Sequence, residues 1–269
     1  MTRQILSPDN QYIRLAASLR HRKYREETGF FIVEGLRLVQ EALESSWTFE
    51  YAMVADEQGS SEQIRNLTED IEVRGCPVLS VPLSLYRKVS DTENPQGILA
   101  VVRQKRDTLE NISTIGQSSL WVILDSLQDP GNVGTIVRTA DAAGAAGVIL
   151  TEGCADLYAG KTTRATMGSL FHIPVVKASV EECSAFCSRQ ELSLYLACSE
   201  ASARYSEVDL TSPCAIVFGN EGSGVGEYFR NHTVLNLKIP IVGKAESLNV
   251  ACAAAVILFE AARQRGLTL

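Results

Sequence analysis

The second half of the chain alternates short apolar runs with helix-like segments. Its strand-like runs lie at 121–124, 148–150, 174–176, 193–197, 215–218 and 234–239. Because helical segments separate most of these runs, the pattern predicts a mainly parallel sheet covered on both faces. In the first hundred residues, helical patterns such as 36–43 and 62–71 alternate with apolar runs at 30–33, 51–54, 78–81 and 98–102. This part of the pattern predicts a small α/β domain.

A polar segment without clear periodicity, KRDTLENISTIGQ, begins at Lys105 and divides these two regions. We expect an N-terminal domain at 1–106, a linker at 107–116 and a C-terminal domain at 117–269. With 269 residues, 45% of them hydrophobic, the chain can bury two cores. No apolar run reaches membrane-spanning length, and the start, MTRQILSPDN, lacks the apolar part of a secretory signal. We therefore expect a cytoplasmic protein that makes no membrane contact.

Three glycine- and asparagine-rich loops of the second region each follow an apolar run and lead into a helix-like run. They lie within WVILDSLQDPGNVGTIVRTADAAG (121–144), AIVFGNEGSGVG (215–226) and LKIPIVGKAESLNVACAAAVILF (237–259). In an open α/β sheet, loops at the carboxyl ends of strands form the crevice where ligands bind. The three loops therefore predict one composite site.

In the first loop, Asn132 and Arg138 are the candidate functional residues. A helix is expected to begin around Val133, and Arg138 is the only cation between residues 121 and 159. A guanidinium at that place suits recognition of a phosphate or carboxylate. The alternative is that Arg138 pairs with Asp141, three residues further on.

The second and third loops add an acid, a hydroxyl and an amide. Glu221 is the one acid of its loop before the next helix, and Gly219 opens a stretch where a ligand can approach the main chain. Ser247 is expected to cap an apolar helix at 248–262, with Asn249 near its start. Helix capping alone is the alternative role for both Glu221 and Ser247.

Taken together, the motifs N-x-G-x-x-x-R (132–138), GNEG (219–222), and IP (239–240) followed by SLNV (247–250) resemble the SpoU branch of the SPOUT methyltransferases. These enzymes methylate the ribose 2′-hydroxyl of ribosomal or transfer RNA with S-adenosylmethionine. The resemblance covers 117–269 and implies a deep trefoil knot in the C-terminal domain. In the first domain, GFFIVEG (29–35) and PQGILA (95–100) resemble the substrate-binding domain that precedes many such enzymes.

The resemblance also implies roles for individual residues. Arg138 is the catalytic residue, and we favour stabilisation of the developing alkoxide over proton abstraction, because a guanidinium stays protonated. Asn132, Glu221, Ser247 and Asn249 complete the catalytic group. Main-chain groups near Gly219, Ile239 and Leu248 hold the cofactor. A homodimer formed through the C-terminal domain is expected, with the site at the subunit interface.

The net charge of −7 is unfavourable for a protein that binds RNA, but the charges are unevenly distributed. Residues 1–25 carry six basic side chains against one acid, Asp9. A helix capped by Ser7-Pro8 and running to about Glu27 is expected to expose Arg14, Arg22 and Arg25 to a phosphate backbone. The alternative is a solvated surface helix.

Other classes of protein fit the sequence less well. The seven cysteines include no C-x-x-C pair and are read as buried apolar residues, and the three histidines are isolated, so neither a metal site nor a hydrolase triad is predicted. The glycine order of 219–226 and the lack of a ribose-binding acid argue against a nicotinamide-dependent oxidoreductase.

A non-catalytic RNA-binding protein stays as the alternative. Ribosomal RNA is favoured as substrate over transfer RNA.

Overall fold

The protein, described by a computed structural model over residues 3–56, 61–112 and 119–266, divides into two compact units. The first unit combines 1–105 with Asp156–Phe171, and the second combines Arg106–Ala155 with 172–269. The expected boundaries differ from this division chiefly at Asp156–Phe171, which the sequence pattern assigns to the C-terminal domain. Residues 113–116 of the expected linker lie outside the described residues.

The described part of the first unit contains a five-stranded sheet with the order β1-β4-β3-β5-β2, in which β5 is antiparallel to both neighbours. Its elements are β1 (Arg3–Gln4), α1 (Gln11–Ser18), α2 (Arg22–Thr28), β2 (Phe30–Glu34), α3 (Leu36–Glu44), β3 (Phe49–Ala55), α4 (Glu62–Val73), β4 (Val78–Val81), α5 (Leu83–Val89) and β5 (Ile98–Arg103). The segment Asp156–Phe171 adds helix α7 (Gly160–Ala165) and a 3₁₀ turn at Ser169–Phe171. The prediction of a small α/β domain is confirmed.

The expectation of one N-terminal helix from Ser7-Pro8 to about Glu27 is wrong, because the chain forms α1 and α2 with a turn between them. Asn10, and not Ser7, caps α1: its side chain accepts from Tyr12 N at 3.0 Å. The turn is held by Arg25, whose Nη1 donates to the carbonyls of Leu19 and Arg20 at 2.7 and 3.0 Å. Those carbonyls lie just after α1, which ends at Ser18, so the arginine serves the fold here.

Arg25 is buried, which contradicts its expected place on an exposed basic face. It is 5% exposed, and its Nε and Nη2 donate to Oδ2 of Asp156 at 3.1 and 2.7 Å. Tyr158 packs against Phe31 with ring centroids 4.7 Å apart. This ion pair and this aromatic contact are the physical reason that Asp156–Phe171 belongs to the first unit.

The second unit contains a sheet of seven described strands, all parallel, with the order β10-β12-β9-β11-β6-β7-β8. Its elements are β6 (Leu120–Asp125), α6 (Pro130–Ala142), β7 (Gly147–Leu150), β8 (Val175–Lys177), α8 (Val180–Arg189), β9 (Ser193–Ala197), β10 (Ala203–Arg204), a 3₁₀ turn (Tyr205–Glu207), β11 (Cys214–Gly219), α9 (Glu227–His232), β12 (Leu235–Lys238) and α10 (Val250–Gln264). The predicted parallel sheet is confirmed. The two-residue edge strand β10 was not foreseen, since its sequence shows no apolar alternation.

The core of this unit is built from alternating side chains of the central strands. Trp121 and Ile123 of β6 pack with Val217 of β11. Cys183 and Cys187 join the same cluster from α8, as expected of small buried residues, and burial raises the pKa of each thiol to about 12. Cys252 is exposed, contrary to that expectation.

No described helix is long and apolar enough to span a membrane. The described His, Cys, Asp and Glu side chains also form no group of three or more that could hold a metal ion.

Candidate active site

The central strands β6 and β11 end side by side, with Asp125 paired in register with Gly219. From β6 the chain proceeds to β7 and β8 on one side and later returns through β9 and β11 on the other. This reversal of strand order makes the gap between β6 and β11 the switch point of the sheet. Ligands of open α/β sheets bind at such a point, outside the carboxyl ends of the strands.

Three side chains from the three predicted loops form a hydrogen-bonded chain at this place. Asn132 Nδ2 donates to Glu221 Oε1 at 2.7 Å, and Asn249 Nδ2 donates to Asn132 Oδ1 at 3.1 Å. Asn132 lies between the other two and uses both ends of its amide. Three of the five predicted catalytic residues are therefore brought together, although they are far apart in sequence.

The first helix of the site orients Asn132 through its cap. Helix α6 begins at Pro130, and Asp129 caps it by accepting from Asn132 N at 2.8 Å. The expected start around Val133 is therefore three residues late. Proline is favourable in the first turn of a helix, because the missing N–H would have had no partner there.

The second helix orients Asn249 in a similar way. Asn249 is the N-cap of α10, and its Oδ1 accepts from Ala251 N at 2.9 Å and from Cys252 N at 3.3 Å. Since capping occupies the oxygen, the amide nitrogen is left to donate to Asn132. The expectation that Ser247 caps this helix is wrong: Ser247 lies two residues earlier and is exposed.

The loop that carries Glu221 is held in shape by Asn220. Its Oδ1 accepts from the backbone N–H groups of Gly222 and Ser223 at 2.9 and 3.0 Å, and its Nδ2 donates to Ser126 O at 2.9 Å. Gly219 is required for a steric reason within the same loop, because a Cβ there would lie 2.4 Å from Cγ2 of Val225. The loop itself thus fills the space beside Gly219.

Asp125 is a site residue that the sequence analysis missed. It is 5% exposed, Oδ2 accepts from Gly226 N at 2.7 Å, and Oδ1 accepts from Thr151 Oγ1 at 3.0 Å. The carboxylate therefore ties the loops after β6, β7 and β11 together. Its signal in the sequence is an acid that ends an otherwise apolar strand, a position where an unpaired charge would be costly.

Arg138 stands apart from the amide chain. It is exposed on α6 and makes no hydrogen bond or ion pair with any residue that the structure describes. The alternative pairing with Asp141 is wrong, because Asp141 Oδ2 lies 2.8 Å from His172 Nδ1 instead. The guanidinium is thus available to a ligand or to a second chain.

The residues expected to hold the cofactor lie at Gly219 and on the loop between β12 and α10. From Pro240 to Leu248, no backbone group is hydrogen-bonded to another described residue. Leu248 is 41% exposed and Val242 99% exposed, while Ile239 is half-buried. Free backbone donors and acceptors beside apolar side chains fit an adenosyl group, whose base needs apolar contact and a few directed hydrogen bonds.

An open parallel sheet with polar loops gathered at its switch point defines an α/β enzyme that binds a nucleotide-like ligand there. Residues 119–259 match the SpoU rRNA Methylase family, and residues 10–100 match the MRM3-like substrate binding domain. The chain belongs to the SpoU rRNA methylase family.

Relatives match the chain along almost its whole length. The 23S rRNA (guanosine(2553)-2′-O)-methyltransferase RlmP of Bacillus subtilis is 36% identical over 96% of this chain and 98% of its own. The 23S rRNA (uridine(2479)-2′-O)-methyltransferase of Streptomyces viridochromogenes is 32% identical over 98% of this chain and 93% of its own. The crystal structure of an AdoMet-bound rRNA methyltransferase from Sinorhizobium meliloti is 32% identical, with a TM-score of 0.89 over 100% of this chain and 99% of that one.

These matches confirm the predicted family, the α/β fold class and the enzyme class, an RNA 2′-O-methyltransferase that uses S-adenosylmethionine. The trefoil knot stays a prediction.

Proposed function

We propose that this protein transfers a methyl group from S-adenosylmethionine to the ribose 2′-hydroxyl of one nucleotide of 23S ribosomal RNA. The observation that carries the proposal is the chain of hydrogen bonds from Glu221 through Asn132 to Asn249, at the switch point of a SpoU-family domain. Support for the substrate comes from the two full-length relatives, both named for 2′-O-methylation of 23S rRNA. An enzyme with this substrate acts where ribosomes are assembled, so the proposal includes the cytoplasm.

The cofactor is held by the main chain around Gly219, Ile239 and Leu248. The exposed apolar side chains of the loop after β12 would contact the adenine, and the backbone groups between Pro240 and Leu248, which have no hydrogen-bond partner among the described residues, would recognise its edge. S-adenosylmethionine supplies an electrophilic methyl group on a sulfonium. The remaining task of the protein is to present a ribose oxygen in line with that group.

Arg138 acts on the RNA side of the site. Its guanidinium would dock a phosphate next to the target ribose and stabilise the developing alkoxide. The bond between the 2′-oxygen and the methyl group would form as the methyl–sulfur bond breaks, leaving S-adenosylhomocysteine, and the hydroxyl proton would pass to solvent water. Asn132, Glu221, Ser247 and Asn249 orient the ribose. The hydrogen bonds of the amide chain fix three of these four side chains before the substrate binds, which lowers the entropy cost of alignment.

The reaction is tested by incubating the protein with methyl-labelled S-adenosylmethionine and ribosomal RNA from cells that lack it. The labelled RNA is then digested to nucleosides. We expect the label in a 2′-O-methylnucleoside. Label on a base would contradict the acceptor, and label only in transfer RNA offered in parallel would contradict the substrate.

The proposal includes a C2 homodimer formed through the second unit. On α10, Cys252, Val256 and Phe259 are spaced to share one helix face, and the last two are 37% and 52% exposed. An apolar face of this kind supports contact with a second copy. Arg138, which has no partner among the residues that the structure describes, supports a site completed across that contact.

Sedimentation tests the dimer. Val256→Glu should give monomers, whereas the matched control Val73→Glu, at an 86% exposed valine of the first unit, should not. Mixed dimers of Arg138→Ala and Asn249→Ala should regain activity if Arg138 serves the partner's site. An active wild-type monomer would contradict the dimer.

A further inference from the structure

Arg138 and Asp141 are spaced to form an ion pair, yet they do not. Both lie on α6, three residues apart, a spacing at which oppositely charged side chains are neighbours on a helix surface. Asp141 Oδ2 instead lies 2.8 Å from Nδ1 of His172, which precedes β8 in the chain. The histidine side chain is 42% exposed and the aspartate side chain 25% exposed.

The position of Asp141 at the end of α6 favours a partner that donates a hydrogen bond or carries positive charge. It lies in the last turn of α6, which contains no basic residue, and a carboxylate is unfavourable at the negative end of a helix dipole. Without His172, the nearest cation on the same helix is Arg138. An ion pair between these two would draw the guanidinium back along the helix and lower its charge toward a ligand.

We propose that His172 is a positioning residue that holds Asp141 away from Arg138 and thereby keeps the guanidinium available to the RNA. The imidazole does this in its neutral form, with Nδ1–H donating to the carboxylate, and in its protonated form as an ion pair. His172 does not touch the substrate in this account. The proposal rests on the function proposed for Arg138.

Four variants of the full-length enzyme test the proposal by turnover at saturating RNA. His172→Ala should lower kcat about two- to fivefold, the range that a surface ion pair can account for. Asp141→Asn alone should keep wild-type kcat, because it removes the competing charge. The double variant His172→Ala/Asp141→Asn should return to wild-type kcat. His172→Asn, whose amide can still donate to Asp141, should retain most of the activity.

A purely structural histidine gives a different pattern, because the double variant would then be at least as impaired as His172→Ala. Wild-type kcat in His172→Ala, or its loss without rescue by Asp141→Asn, would overturn the proposal. His172→Leu keeps most of the bulk without the donor and replaces His172→Ala if the latter does not fold. Arg138→Ala is measured in parallel: if it keeps full turnover, the role of Arg138 itself fails, whatever the His172 variants show.

Discussion

Helices α2 and α6 each carry an arginine that the sequence assigns to the RNA, and the structure gives the two residues opposite environments. Arg25 is buried and bound to Asp156, a residue 131 positions away. Arg138 is exposed and has no partner among the described residues. A basic sequence pattern therefore does not distinguish an arginine that holds the fold from one that stays exposed on the surface. The environment of such an arginine depends on whether a carboxylate from a distant part of the sequence lies within hydrogen-bonding distance of its guanidinium.

The largest expected effect is on turnover. Arg138→Ala should lower kcat by about 10²–10³-fold, the loss typical when one charge-stabilising group is removed from an active site. Its melting temperature should stay at the wild-type value, and S-adenosylmethionine affinity should change by no more than about threefold, because the residue makes no contact that holds the fold. Steady-state kinetics, a thermal melt and titration calorimetry measure these three quantities in turn.

Arg204→Ala is the matched control, since this exposed arginine forms a surface ion pair with Glu207 at 3.8 Å. It should keep wild-type kcat. Wild-type kcat in Arg138→Ala would show that Arg138 contributes no more to turnover than the control arginine does.

Arg25→Ala should act on stability. It removes the guanidinium that binds Asp156 Oδ2 and the carbonyls of Leu19 and Arg20, and the loss of one partner from an ion pair so well shielded from water costs about 3–5 kcal/mol of unfolding free energy. Arg22→Ala, on the same helix and paired with Glu26 at the surface, should cost no more than about 0.5 kcal/mol. Urea denaturation followed by circular dichroism measures both. Equal costs for the two variants would show that the buried ion pair does not hold Asp156–Phe171 to the first unit.

Substitutions of Asn249 should distinguish its role as the N-cap of α10 from its role as a hydrogen-bond donor to Asn132. Their effect on kcat should be smaller than that of Arg138→Ala. Asn249→Asp keeps the oxygen that caps α10 but removes the donor to Asn132, so we expect the same stability and roughly tenfold lower kcat. Asn249→Ala loses both contacts and should also unfold about 1 kcal/mol more easily. If Asn249→Asp kept wild-type kcat, the amide chain would have no part in aligning the ribose.

The smallest effect concerns Arg14, which lies exposed on α1. Arg14→Ala should weaken RNA binding by about two- to fivefold at physiological salt and reduce the slope of log affinity against log salt by about one, as expected for one phosphate contact. Filter binding over a range of salt measures it. An unchanged slope would mean that α1 does not meet the RNA.

The parallel sheet and the meeting of Asn132, Glu221 and Asn249 could be predicted from the sequence, because both depend on local patterns. Buried parallel strands are continuous apolar runs, and the three loops lie where such runs end. A local pattern could not predict the environment of a side chain whose partner lies far along the sequence. Arg25 is buried against Asp156, and Asp141 lies within hydrogen-bonding distance of His172 instead of pairing with Arg138. Asp125 was missed for the same reason, since its partners Gly226 and Thr151 meet it only in the folded sheet.

The role of Arg138 in methylating 23S RNA can be tested in cells by mapping ribose methylation across that RNA in three strains. One strain carries the wild-type protein, one lacks it, and one carries Arg138→Ala at equal abundance. We predict a single 23S nucleotide whose 2′-O-methylation is present in the first strain and absent from the other two. An identical methylation map in all three strains would contradict the account, and a site that remains methylated with Arg138→Ala would contradict the catalytic role of the exposed arginine.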